Sequence, residues 1–142
     1  MAGTNTVGRA TPIFWVANLA ASIGYYVKAL GFTVDWQSEG VFASVSRDGC
    51  HIMLCEKDQG HPGAWIWAGV RDTDALEAEL RERGGKVRHP PTNYPWAYEM
   101  QVEDLDGNVL RFGADRKAGQ PFGPFLDMHG RLWPPSQGNS GS

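Results

Sequence analysis

The feature that most constrains this chain is a recurrence of landmarks at an offset of 54 residues: Val16 and Val70 each close an apolar, strand-like run, and Gly31 and Gly85 each end a stretch with helical periodicity. A fixed internal period is the mark of tandem duplication. In the first half, TPIFWV (11–16) is aromatic and β-branched and reads as a strand, and Asn18 can cap a helix starting at Leu19. LAASIGYYVKAL then sets Leu19, Ile23, Tyr26, Val27 and Leu30 on one side, with Gly31 as a left-handed stop. FTVDWQ, VFASVSR and CHIMLCE follow as strands, the last two joined by Asp48-Gly49, a strong hairpin signal. The second half repeats the order. AWIWAGV is a strand, Asp72 or Thr73 caps the helix ALEAELRER, Gly84-Gly85 stop it, KVRH is a short strand, and YEMQVED and NVLRFGA flank the Asp106-Gly107-Asn108 turn. The expected fold is α+β: two tandem βαβββ modules (11–56 and 63–114) forming a curved mixed sheet around a cleft, within one domain spanning 11–114.

The flanks have a different character. Residues 1–10 read as a flexible N-terminus. Residues 115–142 form a Gly/Pro-rich C-terminal tail, of which the final SQGNSGS should be disordered. Phe122, Phe125, Leu126, Met128 and Trp133 are too many large apolar groups for a purely solvated linker, so part of the tail should pack on the body.

Composition narrows the partners. Lys+Arg 13 against Asp+Glu 16 gives a net charge of -3, without the basic excess that holds a polyanion, so nucleic acid is excluded and small molecules come to the front. The longest apolar runs, Ile13 to Ala17 and Ala64 to Ala68, are far shorter than the ~20 residues of a membrane span. The opening MAGTNTVGRATP has no apolar core of a secretory signal, which leaves the cytoplasm as the expected compartment. Cys50 and Cys55 fall on opposite faces of one strand and cannot bridge, so two reduced thiols are expected.

Strand alternation then reads the cleft. Ile52 and Leu54 suit a helix-covered core and turn His51, Met53 and Cys55 to the other face; Ile66, Ala68 and Val70 likewise turn Trp65 and Trp67 there. Met100 and Val102 leave Glu99 and Gln101 facing the cleft, and Leu110 and Phe112 leave Arg111. Phe42, Trp15 and Trp96 are further candidate lining residues, whereas Tyr25 and Tyr26 on the first helix are packing residues. The four histidines lie on separate segments without paired ligand spacing.

VANLAASIGYYVKALGF in the first half and EDLDGNVLRF closing the second resemble the vicinal oxygen chelate superfamily of glyoxalases, ring-cleaving dioxygenases and resistance proteins, over roughly residues 11 to 114. Within it, AWIWAGV followed by PWAYEMQVEDLDGNVLRF is most similar to the bleomycin-resistance protein group, with Ala97 in place of a glycine and Leu105 in place of a usual proline. The resemblance implies a homodimer whose subunits share the cleft. It also implies a metal position in the family's enzymes, filled by His, Gln or Glu from four strands. Matching by strand position puts Thr11, Met53, Trp65 and Arg111 there, none a usual ligand for such an ion, so neither metal nor other cofactor is expected.

The function these residues point to is a metal-free binding protein that sequesters a small planar aromatic compound or antibiotic. Thr11, Trp15, Phe42, Met53, Trp65, Trp67, Trp96, Glu99, Gln101 and Arg111 would line its site. Arg111 would repel a cationic ligand unless paired with Glu99, so a ligand bearing its own anionic group fits the sequence at least as well. The alternative is a metal-independent enzyme of the same fold, with Glu99 as general base and Arg111 stabilising an oxyanion.

Overall fold

The duplicated order is realised twice in space. A computed structural model describes residues 5–135 of the chain; the first four residues of the expected flexible start and the expected disordered end (136–142) lie outside the described residues. The first module runs β1 (Ile13–Trp15), α1 (Leu19–Lys28), β2 (Thr33–Ser38), β3 (Phe42–Arg47) and β4 (Cys50–Cys55). The second runs β5 (Trp65–Gly69), α2 (Thr73–Arg83), β6 (Lys86–Asn93), β7 (Tyr98–Glu103) and β8 (Val109–Ala114). The strands divide into two four-stranded sheets of the same topology, β1-β4-β3-β2 and β5-β8-β7-β6, each with its first strand parallel to its last and the others antiparallel.

Local chemistry sets the ends of the helices. Asn18 and Asp72, themselves 54 residues apart, accept the N–H groups of Ala21 and Ala75 and open the two helices in register with the repeat. The stops differ. In α1 the left-handed residue is Gly31 (φ 75°), but in α2 it is Gly84 (φ 91°) rather than Gly85, so the helix caps carry the duplication at their N-termini only.

Both modules feed one apolar core. Phe14, Val16, Leu19, Tyr26, Leu30, Ile52 and Leu54 from the first join Leu80, Met100, Val102, Leu110 and Phe112 from the second, all essentially inaccessible to water. The DLDGN turn staples the modules together. Buried Asp104 accepts the Tyr26 hydroxyl (2.9 Å) and the Asn108 side-chain amide (2.9 Å); burial pushes its carboxyl above the usual range, and these hydrogen bonds pull it back. Asn108 in turn accepts Ala64 N–H (2.9 Å) and donates to the Trp15 carbonyl (3.2 Å), and Asp106 accepts Ala17 N–H (3.0 Å). Leu105, where the resembled group has proline, is exposed and free of this network. Ala97 lies outside the positive-φ residues, so a glycine is not required there.

Two elements differ from expectation. β6 continues past the expected KVRH through Pro90 and Pro91 to Asn93. It can do so because it is an edge strand, where a missing N–H costs no ladder bond, and because register shifts at Val87/His89 and His89/Thr92 absorb the kinks. The Gly/Pro-rich tail, expected only to pack in part on the body, forms a hairpin of β9 (Phe125–Leu126) and β10 (Leu132–Trp133). Asp127 organises its turn by accepting His129 N–H, Arg131 N–H and the Trp133 indole N–H. Among the described residues no helix is long and apolar enough to cross a membrane.

Candidate functional site

Strand register decides which side chains share a face. Across the second sheet Trp67 pairs with Arg111, Arg111 with Gln101, and both Gly69 and Glu99 with Gly113, so Trp67, Arg111, Gln101 and Glu99 lie on the side away from the core, with Trp65 two residues up β5. At the centre is Glu99, only 1% exposed. One carboxylate oxygen accepts the indole N–H groups of Trp67 (2.7 Å) and Trp96 (2.9 Å); the other accepts Nε (3.1 Å) and a terminal nitrogen (2.8 Å) of Arg111. All four lone-pair directions of the carboxylate are thereby filled. The two indoles it holds remain 53% and 55% exposed, so their polar edges are buried on Glu99 while their rings face solvent.

Small residues make room for this cluster. A Cβ on Gly113 would stand 3.0 Å from the Trp67 ring and 3.1 Å from Glu99 Cγ, so any larger residue there presses on the indole and the carboxylate where they meet over β8. Behind Trp96, Tyr94 stacks on it with centroids 4.8 Å apart and planes 3° from parallel. Phe125 of the tail stands edge-on to both, and the Arg111 guanidinium lies 5.4 Å above its ring. Arg88 sits 5.4 Å over Trp65 and donates to Gln101. Burial pushes the Tyr94 phenol up to about 12, so it remains a donor to the Pro124 carbonyl (3.0 Å) at neutral pH. His89 is held below the ordinary imidazole value chiefly by burial and further by the Arg88 charge, with its Nε2 near the Pro124 carbonyl opposing them.

Two depressions meet along Trp67 and the segment from Gly69 to Asp72. One, of about 850 Å³, lies between Trp67 and Trp96 and is edged by Asp72, Asp74 and Asp115 with Arg71 and Lys117. The other, of about 1030 Å³, lies between the N-terminal segment, the β3–β4 turn, β5 and α2, and takes in Thr11, His51 and Trp67.

The structure thus brings together Trp67, Trp96, Glu99 and Arg111, and attaches Trp65 and Gln101 through Arg88. Trp15, Phe42 and Met53 lie instead on the outer face of the first sheet, with Trp15 and Phe42 both paired to Cys55 and Met53 opposite Ile13; Cys55 is fully buried. That face carries a polar group that strand alternation alone did not bring out. Asp35, displaced by a bulge between Val34 and Trp36, accepts Ser46 Oγ (2.7 Å) and Ser44 Oγ (2.9 Å), with His51 Nδ1 at 3.8 Å. Trp36 stacks on Phe42 at 5.8 Å. Tyr94, Arg88 and Phe125 also escaped the sequence reading: the first two belong to the irregular part of β6 and the loop after it, and Phe125 was visible only as one of several apolar tail residues.

A divalent ion does not suit the four strand positions. The register sets Arg111 opposite Trp67 rather than Trp65, its guanidinium is spent on Glu99, an indole has no lone pair to give, and the Thr11 hydroxyl and Met53 thioether are weak donors. Among the described residues no group of three His, Cys, Asp or Glu side chains is close enough together to hold a metal ion.

Comparison with known proteins gives one family. The model of the Glyoxalase/Bleomycin resistance protein/Dioxygenase superfamily matches residues 7–112. Solved structures with the same fold include the bleomycin-binding protein of bleomycin-producing Streptomyces verticillus, in complex with copper(II)-bleomycin (24% identity, 80% of this chain and 100% of that one, TM-score 0.64). A glyoxalase/bleomycin resistance protein from Streptomyces sp. CB03234 is similar at 25% identity over 75% of this chain and 99% of that one, TM-score 0.64. A glyoxalase/bleomycin resistance protein/dioxygenase from Nocardioides is similar at 22% identity over 84% and 91%, TM-score 0.63. No curated protein matches the chain.

Proposed function

Because this chain belongs to the Glyoxalase/Bleomycin resistance protein/Dioxygenase superfamily, we propose that it is a small-molecule binding protein of the bleomycin-resistance kind, sequestering a planar aromatic compound without metal or turnover. The observation that carries this reading is the pair of exposed indoles, Trp67 and Trp96, pinned by one buried carboxylate. Pinning removes the rotamer freedom that a flexible tryptophan would lose on binding, so more of the stacking energy is left for affinity. Glu99 is then a positioning residue, since its oxygens are spent within the protein.

Charge favours a cationic partner. Arg111, the inward cation nearest the two indoles, is neutralised by Glu99 at 2.8 Å, and the depression between the indoles is edged by three carboxylates against two cations. The competing reading of Glu99 as a general base loses its footing for the same geometric reason: a carboxylate already accepting four hydrogen bonds has no direction left for a substrate proton.

The test is a tryptophan-fluorescence titration with planar aromatic antibiotics of both charge signs, with product analysis alongside. Stacking of about 1 to 3 kcal/mol per ring gives roughly 5- to 150-fold weaker binding in Trp67→Ala or Trp96→Ala. Absence of any planar ligand below about millimolar, or conversion of one into product, overturns the reading.

The same reading includes a homodimer and a cytoplasmic location. Trp36, exposed beside Val34 and Val41 on and next to the first sheet, supports the former; the unbridged Cys50 and Cys55 support the latter. Light scattering at micromolar concentration should give twice the 15.6 kDa chain mass, and a monomeric mass removes the dimer.

A further inference from the structure

The surface formed by β6, β7 and the loop between them grips the tail in an unusual way. Its side chains donate to main-chain carbonyls of one downstream segment: Arg88 to Asp127 (2.6 Å), Gln101 to Leu126 (2.8 Å), Tyr94 and His89 to Pro124 (3.0 Å each), and Asn93 to Lys117 (2.9 Å) and Gln120 (3.2 Å). The exchange is completed by Gly123 N–H on the Asn93 carbonyl (3.0 Å) and Lys117 N–H on the Asn93 side chain (2.8 Å). At the centre of this grip one tail side chain is seated among aromatic rings: the Phe125 ring, between Arg111 and the Tyr94–Trp96 stack. A Cβ on Gly123 would stand 2.5 Å from Thr92 Cγ2, so an alanine there forces the segment or the Thr92 side chain to shift.

A row of main-chain hydrogen bonds and a single anchored aromatic is how a surface recognises a peptide segment. It is not how a core packs. No residue of 117–133 belongs to the apolar core, and Met128, Leu132 and Trp133 stay exposed on the hairpin. The family match ends at residue 112, before the segment begins.

We propose that this surface is a peptide-binding site that reads backbone carbonyls and one aromatic side chain, and that residues 117–133 of the chain are its resident, exchangeable occupant. The occupant shares Trp96 with the depression beside Trp67, so its docking fixes one wall of the neighbouring pocket.

The probe is a fluorescein-labelled peptide with the sequence of residues 117–133, followed by anisotropy against the full chain. Phe125→Ala and, separately, Gly123→Ala loosen the occupant while leaving the surface intact. The peptide should bind either variant at least tenfold more tightly than the wild type, whose site is filled, and a peptide carrying Phe125→Ala should bind none of them. Native-state hydrogen exchange should show the amides of Gly123 and Asp127 opening well before those of β7 and β8, and faster still in the variants with β7 and β8 unchanged. Equal binding to wild type and both variants, or to neither variant, overturns the proposal. So does exchange of Gly123 and Asp127 only with global unfolding, which makes the hairpin an integral part of the domain. No small molecule enters the experiment, so its failure is separate from failure of the ligand-sequestration reading.

Discussion

The two sheets have one topology and opposite outer faces. On the first, Asp35 is a half-exposed carboxylate held by two serine hydroxyls, which keep it below the usual carboxylate range. On the second, Glu99 is a buried carboxylate held by two indoles and a guanidinium, next to a surface covered by the tail hairpin. The two modules share one element order and topology and differ in the residues that each strand turns away from the core. The cluster around Glu99 therefore draws on alternate positions of β5, β7 and β8, and the first half carries a different polar group around Asp35 on the equivalent face.

The sharpest way to break that contrast is to neutralise each carboxylate. Glu99→Gln confronts two indole N–H groups and Arg111 with an amide that can accept on one side only, leaving a largely buried guanidinium unpaired. Loss of one partner of a buried pair costs about 3 to 5 kcal/mol, or roughly 10 °C in melting temperature for a chain of this size. Asp35→Asn, facing water, should leave the melting temperature nearly unchanged. Equal shifts in a thermal melt would show that Glu99 is not the organising centre.

Much of this was legible in the sequence because alternation is a strict rule on a paired strand. Trp65, Trp67, Glu99, Gln101 and Arg111 follow from the core residues beside them, and the register places all five on one face. What alternation cannot give is how side chains meet across strands. Glu99 and Arg111 were readable as neighbours, yet the capture of both indole N–H groups by one carboxylate depends on the path of the loop that carries Trp96. Tyr94 and Arg88 were hidden for a related reason, since β6 shifts register twice and the period of two fails there. Asp35 was hidden by the bulge that turns it toward Ser44 and Ser46. The hairpin of the tail has strands of two residues, too short to leave a period at all.

A smaller effect sharpens the comparison through glycine. Gly113→Ala forces a methyl to 3.0 Å from the Trp67 ring and 3.1 Å from Glu99, an overpacking that costs about 1 to 3 kcal/mol and should raise the accessibility of Trp67 to a soluble quencher. Gly24→Ala in α1 of the first module meets nothing within 4 Å and sits inside a helix, so it should stabilise by up to about 1 kcal/mol. Opposite signs in chemical denaturation are expected; a neutral Gly113→Ala would mean that the indole has room to move.

The smallest effect is a pH dependence confined to the second module, where His89 joins β6 to the hairpin. Burial, and the Arg88 charge beside it, disfavour the imidazolium, so the folded-state pKa lies below the unfolded value of 6.5. The unfolded chain therefore takes up the proton first as pH falls. The contribution of His89 to stability is complete above pH 6.5 and is lost as pH drops from there through the folded value. In the neutral ring Nε2 must carry the hydrogen to bond the Pro124 carbonyl at 3.0 Å, and that assignment makes the titration visible in the hairpin as well as in the ring. Nuclear magnetic resonance of His89 should show a pKa below 6.5, with amide shifts of residues 123–126 titrating in step. A pKa at or above 6.5, or tail amides indifferent to it, would detach the imidazole from the hairpin and leave Tyr94 as the donor holding Pro124.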